Sequence, residues 1–96
     1  MTELLAEIRL FKGKHKRQTP FYSGYRPTFK FIEMTRTSGE INLLNVSKLD
    51  PGDRAIVLIK FVSEEFLGDN LGKGITFQFF EAKEPLGEGV VLGLIV

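Results

Sequence analysis

Apolar and polar residues alternate with a period of two along most of the chain. An early segment, LLAEIRLF, places Ala6, Ile8 and Leu10 on one face and Glu7 and Arg9 on the other. This period is that of a β-strand with one buried face, because successive side chains of a strand point to opposite sides. No segment shows the 3.6-residue period of a helix. The chain is therefore predicted to be all-β.

Six strands are predicted, separated by turns that are rich in glycine, proline and charged residues. Their ranges are 4–11, 27–34, 40–44, 54–62, 74–81 and 87–95. Turns are predicted at 37–39, 50–53 and 83–87. The clearest is Asp50-Pro51-Gly52-Asp53, because proline presets φ at the second position and glycine accepts a positive φ at the third.

The predicted strand 54–62, with the sequence RAIVLIKFV, is apolar on both faces and is expected to be central. Six short strands with few exposed edges form either a closed barrel or a compact sandwich. The residues expected in the core are Phe29, Phe31, Val57, Ile59, Phe77, Phe79 and Leu92.

The length of 96 residues predicts one domain that spans positions 1–96. The sequence has no cysteine, which excludes a disulfide framework and a thiolate metal site and fits a reducing compartment. The polar N-terminus lacks the pattern of a signal peptide, and no apolar run approaches the ~20 residues that a membrane helix needs. We therefore expect a cytoplasmic location and no contact with a membrane.

Candidate catalytic residues are few. His15 is the sole histidine and lies among cations, where a solvated loop residue is a better interpretation than a general base. The glycine-rich segments 68–74 and 87–89 resemble phosphate-binding loops, but the first lacks the Ser or Thr that holds magnesium and the second precedes a strand. No spacing of Asp, Glu and His predicts a metal site. The sequence thus predicts a protein that is not an enzyme and has no cofactor, metal or nucleotide site.

A basic segment followed by aromatic residues is the main candidate for nucleic-acid contact. The net charge is only +1, but cations concentrate in the first third of the chain and carboxylates in the last third. Cations beside aromatics suit phosphate contact and base stacking, and the alternative is a solvated loop with its aromatics turned into the core. The residues concerned are Lys12, Lys14, Lys16, Arg17, Phe21, Tyr22 and Tyr25.

The segment 17–31 reads RQTPFYSGYRPTFKF. It resembles the loop and second strand of the C-terminal domain of elongation factor Tu, where that family reads approximately R-H-T-P-F-F-x-x-Y-R-P-Q-F-Y-F. Further similar motifs follow in the family's order: TSG at 37–39, DPGD at 50–53, LIK at 58–60, GITF at 74–77 and GEGVV at 87–91. The resemblance covers almost the whole chain and implies a six-stranded antiparallel β-barrel.

In that family the barrel follows a GTPase domain and a second barrel, and it contacts the T stem of aminoacyl-tRNA and the exchange factor elongation factor Ts. The present chain begins at the barrel, so GTP hydrolysis is not expected. Among the family's tRNA-facing positions, Lys60 matches, Thr28 replaces a glutamine, and the turn threonine corresponds to Thr37 or Ser38. The arginine of the family's G-G-R-T turn is replaced by Glu84.

Two functions compete on this basis. The favoured one is a non-catalytic protein-interaction module of translation-factor ancestry, because several tRNA-facing features are lost or reversed. Its partner is another protein or a second copy, and its candidate contacts, apolar and expected at the surface, are Phe21, Tyr22, Ile32, Phe66 and Phe80. The alternative is an accessory protein of translation that binds tRNA or other structured RNA. The candidate RNA-binding residues are Lys12, Lys14, Lys16, Arg17, Arg26, Thr28, Thr37 and Lys60.

Overall fold

The structure is a computed structural model that describes residues 2–65, 67–68 and 71–95. The strands are β1 (Thr2–Leu10), β2 (Thr28–Lys30), β3 (Thr37–Leu43), β4 (Arg54–Phe61), β5 (Thr76–Glu81) and β6 (Glu84–Ile95). They form one closed barrel in the order β1-β4-β3-β2-β5-β6, and β6 pairs with β1 to close it. All neighbouring strands are antiparallel. Since the described residues contain no helix, the predicted all-β class and six-stranded antiparallel barrel are confirmed, and the sandwich alternative is excluded.

The core is built from the inward face of each strand and is centred on phenylalanine rings. In β1, the alternate residues Leu4, Ala6, Ile8 and Leu10 are almost completely buried, as their spacing predicts. Phe29 of β2 lies among several other rings; the centroids of Phe61, Phe77 and Phe79 are 5.2, 5.9 and 6.0 Å from its own. Burial of Phe29, Val57, Ile59, Phe77 and Phe79 is confirmed, and Phe31 is half-buried against this core.

The prediction that Leu92 lies in the core is wrong. Its side chain is 36% exposed, whereas the neighbouring Val91 is completely buried. The pairing of β1 with β6 shifts between Leu5 and Ala6, where β6 contains an irregularity. An extra residue in one strand reverses which side chains face inward beyond that point. The run Val90–Ile95 is apolar on both faces, so its alternation could not reveal the shift.

Three predicted boundaries also change. The turn predicted at 37–39 is wrong, because these residues begin β3; a Cβ on Gly39 would lie 2.7 Å from a carbon of the Phe61 ring, so the glycine permits close packing. The turn at 83–87 contracts to Ala82 and Lys83, and β6 begins at Glu84. β2 ends at Lys30. The turn at 50–53 is confirmed, with Gly52 at a φ of 92°.

Candidate functional site

Arg17, one of the candidate RNA contacts, is held inside the fold. Its Nη1 lies 2.9 Å from Oε1 of Glu81, and its Nε donates a hydrogen bond to the carbonyl oxygen of Thr19 at 2.9 Å. The guanidinium also lies over the Tyr25 ring, 5.0 Å from its centroid. Only 20% of the side chain is exposed. Arg17 therefore fixes the loop after β1 to β5, and its charge is offset by a carboxylate.

Tyr25 completes this contact, because its hydroxyl donates a hydrogen bond to the same Glu81 carboxylate. Burial, followed by the effect of Glu81, raises the pKa of Tyr25 above the range of an ordinary tyrosine. The folded pKa thus exceeds the unfolded value of about 10. The stability that protonated Tyr25 contributes is present below pH ~10 and is lost as pH rises through the folded pKa.

We expect Tyr25 to resist alkaline ionisation in the folded protein. In a Tyr22→Phe variant, Tyr25 is the one remaining tyrosine, so absorbance at 295 nm reports its phenolate alone. The phenolate signal should be nearly absent at pH ~11, one unit above the ordinary tyrosine pKa. The Glu81→Gln variant in the same background should ionise at lower pH, because it removes a nearby negative charge. A titration midpoint near pH ~10 for Tyr25 in the Tyr22→Phe variant, with Glu81 intact, would contradict the buried contact between Tyr25 and Glu81.

Lys12, Lys14 and Lys16 lie at one end of the barrel, on the loop that follows β1. Lys16 points toward the start of β6, where its Nζ lies 3.3 Å from the carbonyl oxygen of Pro85. The Lys12 side chain lies over Gly52 in the turn before β4. Lys12 and Lys14 are exposed and form no ion pair within the described residues. Two of the four predicted loop cations are therefore free for an external anion.

Arg26 and Lys60 belong to a row of alternating charges on the outer surface, which we call the charged row. It consists of Glu3, Lys60, Glu40 and Arg26. Lys60 lies opposite Glu3 in β1 and opposite Glu40 in β3. Its Nζ is 4.0 Å from a Glu3 oxygen, and Nη2 of Arg26 is 3.0 Å from a Glu40 oxygen. Each cation is already beside a carboxylate, which opposes phosphate binding at this row.

The two threonines of the candidate RNA set differ in accessibility. Thr28 is half-buried on β2, opposite Ser38 of β3. Thr37 lies opposite Phe29 and is buried, so its predicted surface contact is wrong. Of the two residues that could correspond to the family's turn threonine, Thr37 and Ser38, the exposed one is Ser38. Alternation along the strand places adjacent residues on opposite sides.

The predicted apolar contact set does not form one exposed patch. Phe21 and Phe80, at 2% and 6% exposure, are buried within the barrel's own structure, so their predicted exposure is wrong. The Phe21 ring stacks on Tyr25, and the Arg36 guanidinium covers Phe80 at 3.9 Å from the ring centroid. Tyr22 and Ile32 are exposed as predicted. Phe66 lies outside the described residues.

A different apolar surface occupies the outer side of β6, β1, β4 and the residue after β3. We call it the apolar wall. Leu5 lies directly opposite Leu58, and the backbone N–H of Leu44 donates to the carbonyl oxygen of Ile56 at 2.9 Å. Leu92 precedes Gly93, the residue opposite Leu5 in β6. The wall consists of Leu5, Leu44, Ile56, Leu58 and Leu92.

Two members of the apolar wall are exposed to solvent, Leu44 at 55% and Leu92 at 36%, and the other three are half-buried. The charged row borders the wall along its β1 and β4 strands. The sequence carried a signal for this surface, because segment 54–62 is apolar on both faces. That pattern led to the prediction of a central strand, whereas only one side of β4 faces the core.

In the described ranges, no group of three or more His, Asp or Glu side chains is arranged to hold a metal ion. No helix in this part of the chain is long and apolar enough to cross a membrane. No protein-family model matches the sequence. The two surfaces that bear on function are the apolar wall and the exposed cations Lys12 and Lys14.

Proposed function

We propose that this barrel is a non-catalytic protein-interaction module of translation-factor ancestry, and that it binds its partner through the apolar wall. The observation that carries the proposal is the contiguous placement of Leu5, Leu58, Ile56 and Leu44 on the outer surface. Apolar patches of this kind on a small protein mark sites of protein contact, because covering them removes apolar area from water. The ancestry rests on the sequence motifs quoted above and on the barrel topology they imply.

The occupant that we propose is a second copy of the chain. The two copies would be related by a two-fold axis that runs parallel to the strands, between β4 and β3. The charged rows of the two copies would then lie face to face in opposite order. Lys60 would then face the partner's Glu40, so opposite charges would meet across the axis. The same axis would bring Ile56 against the partner's Leu44. Closed two-fold contacts of this kind use one surface patch on both copies.

The Leu44→Asp variant should be monomeric under conditions in which the wild type dimerises. The Leu44 side chain is 55% exposed, so the substitution places charge in the proposed interface without opening the core. Sedimentation velocity at about 100 µM should show a dimer for the wild type, as a dissociation constant in the micromolar range requires. Met34→Asp is the matched control, because Met34 is an exposed apolar residue outside the wall and its positive φ suits aspartate.

Charge reversal tests the two-fold arrangement itself. Lys60→Glu would place two carboxylates against each other across the axis and should weaken the dimer. Adding Glu40→Lys restores opposite charges at the same contact and should recover dimerisation. A monomeric wild type would exclude the second copy as the occupant. If a monomeric wild type also captured no protein from native extract that the Leu44→Asp variant loses, the proposed function would be wrong.

One observation favours RNA binding as a second candidate function. Lys12 and Lys14 are exposed cations at the same end of the barrel and are free of carboxylate partners in the described residues. Backbone phosphates would be their natural ligands. Arg17 is excluded as a strong contributor, because its guanidinium is held by Glu81 and by backbone carbonyls.

If RNA binds here, affinity should depend weakly on salt and not on base sequence. Two phosphate contacts give a slope of log K against log salt of roughly −1.4 to −1.8. The Lys12→Gln/Lys14→Gln variant should remove most of that slope in fluorescence anisotropy with a labelled tRNA. Arg17→Gln should affect melting temperature more than affinity. Binding that is unchanged in the double variant would exclude the loop as an RNA site.

A further inference from the structure

A cleft unrelated to the apolar wall lies on the outer side of the barrel, between the end of β2 and strands β5, β6 and β1. Its volume is about 590 Å³. Known small-molecule sites span ~300–1,000 Å³, so the cleft has room for a ligand of moderate size. Phe31 and Ile32 provide an apolar side, and Thr76 and Gln78 supply polar groups. The charged residues that line it are Glu7, Arg9, Lys30, Glu33, Arg54 and Glu88.

Two arginines meet at one side of this cleft. Arg9 of β1 and Arg54 of β4 lie directly opposite each other in the antiparallel pair. Like charges in directly opposed positions destabilise a sheet. No carboxylate of the described residues lies within ion-pair distance of Arg54. An anion between the two guanidinium groups would turn this repulsion into attraction.

Arg9 also retains hydrogen-bonding capacity. Its Nε is buried and meets no acceptor in the described structure. Its nearest carboxylate contact, from Nη2 to Oε2 of Glu88, is 3.6 Å long, which exceeds a normal hydrogen bond. The guanidinium lies over the Phe11 ring at 5.2 Å from the centroid, which restricts its orientation. The Arg9 side chain as a whole is 43% exposed, so it is accessible to an external acceptor.

The carboxylates of the cleft limit the charge of its ligand. Lys30 and Glu33 pair with each other at 3.4 Å, and Glu88 pairs with Arg9. Glu7 also lines the cleft, so the three carboxylates of the cleft balance its three cations. A polyanion would therefore meet repulsion from three carboxylates. A single carboxylate suits the pair of guanidinium groups, because the guanidinium fork matches carboxylate geometry.

We propose that the cleft binds a small monocarboxylate with an apolar body. The carboxylate lies between Arg9 and Arg54, and the apolar body packs against Phe31 and Ile32. The site does not depend on the proposed dimer, because none of its lining residues belongs to the apolar wall.

The experiment is an NMR titration of ¹⁵N-labelled protein with 3-phenylpropionate. Amide signals of Thr76, Gln78 and Glu88 should shift with a dissociation constant on the order of 1 mM, as expected for a fragment-sized ligand. 3-Phenylpropanol, which lacks the charge, should bind at least about tenfold more weakly. Arg54→Gln should weaken 3-phenylpropionate binding about tenfold. The control Lys73→Gln removes an exposed cation outside the cleft and should leave affinity unchanged.

Three results would overturn the proposal. Equal shifts with the alcohol would show a hydrophobic cleft without carboxylate recognition. Tighter binding of phenyl phosphate would show that the carboxylates do not select a monoanion. Unchanged affinity in Arg54→Gln, in a variant whose spectrum shows a native fold, would exclude the arginine pair. Arg9→Gln provides a second variant of the pair, and its affinity should fall in the same way.

Discussion

Replacing Phe29 with alanine should lower the free energy of unfolding by about 3–5 kcal/mol. The side chain is completely buried at the centre of the aromatic core, within 6.4 Å of four other ring centroids. β2 is the shortest strand, with three residues. Its neighbours cannot easily close the resulting cavity, because Phe61 and Phe79 belong to longer strands that are paired on both sides. Urea unfolding monitored by circular dichroism would measure the loss.

Phe31→Ala is the matched comparison for Phe29→Ala. Phe31 contacts the same rings but is only half-buried, so its truncation should cost clearly less. Phe77→Ala should resemble Phe29→Ala, because Phe77 is buried at the same cluster. A loss below ~1 kcal/mol for both Phe29→Ala and Phe77→Ala would mean that this cluster is not the stabilising core.

Gly87→Ala should destabilise the barrel by about 3 kcal/mol or more, at the upper end of what overpacking usually costs. A Cβ at position 87 would lie 2.4 Å from the carbonyl oxygen of Arg9 and 2.3 Å from a ring carbon of Phe79. The ring could move only into the packed core. The carbonyl belongs to β1 opposite β6, so relieving that contact would separate the two strands that close the barrel.

Gly93→Ala is the control for Gly87→Ala within the same strand. A Cβ there would meet no atom within 4 Å. Alanine also loses less backbone entropy on folding than glycine, so this variant should be neutral or more stable by roughly 0.5 kcal/mol. Thermal unfolding of both variants would separate close packing from a general effect of glycine loss. Equal melting temperatures for the two would contradict the assigned β1–β6 contact.

Alternation in the sequence was sufficient to predict the inward faces of several strands. Every second residue is buried from Leu4 to Leu10 in β1 and from Ala55 to Phe61 in β4, and the ladder between these strands is regular. The turn at 50–53 was likewise predictable, because its conformation is determined by Pro51 and Gly52 themselves. These features depend on neighbours in the chain, which the sequence displays directly.

Features that depend on distant neighbours were not predictable in the same way. Gly39 was assigned to a turn, although it lies within β3 because the Phe61 ring needs the space of its missing side chain. Phe80 was assigned to the surface, although Arg36 from the segment before β3 covers it. The shift between β1 and β6 moved Leu92 outward. Each outcome is decided by a contact between residues that the sequence gives no reason to bring together.

The candidate site likewise has features that the sequence could predict and features that it could not. Positions of individual cations were evident, but their carboxylate partners were not, so Arg17, Arg26 and Lys60 were counted as available charges. The apolar wall was missed because strands apolar on both faces are usually buried on both faces. In a barrel whose interior is already filled by one set of side chains, the second apolar set has to face outward.

Closure of the barrel by β1 and β6 affects how the chain acquires its fold. The first strand cannot complete its hydrogen bonding until the last strand has formed, roughly eighty residues later, and loop closure over that distance is entropically costly. Pairing between such distant segments slows folding. During synthesis, a chain still lacking β6 would leave β1 and β5 as open edges that can pair with other chains. We therefore expect co-translational folding to be delayed until β6 has left the ribosome exit tunnel, and truncation before β6 to yield aggregation.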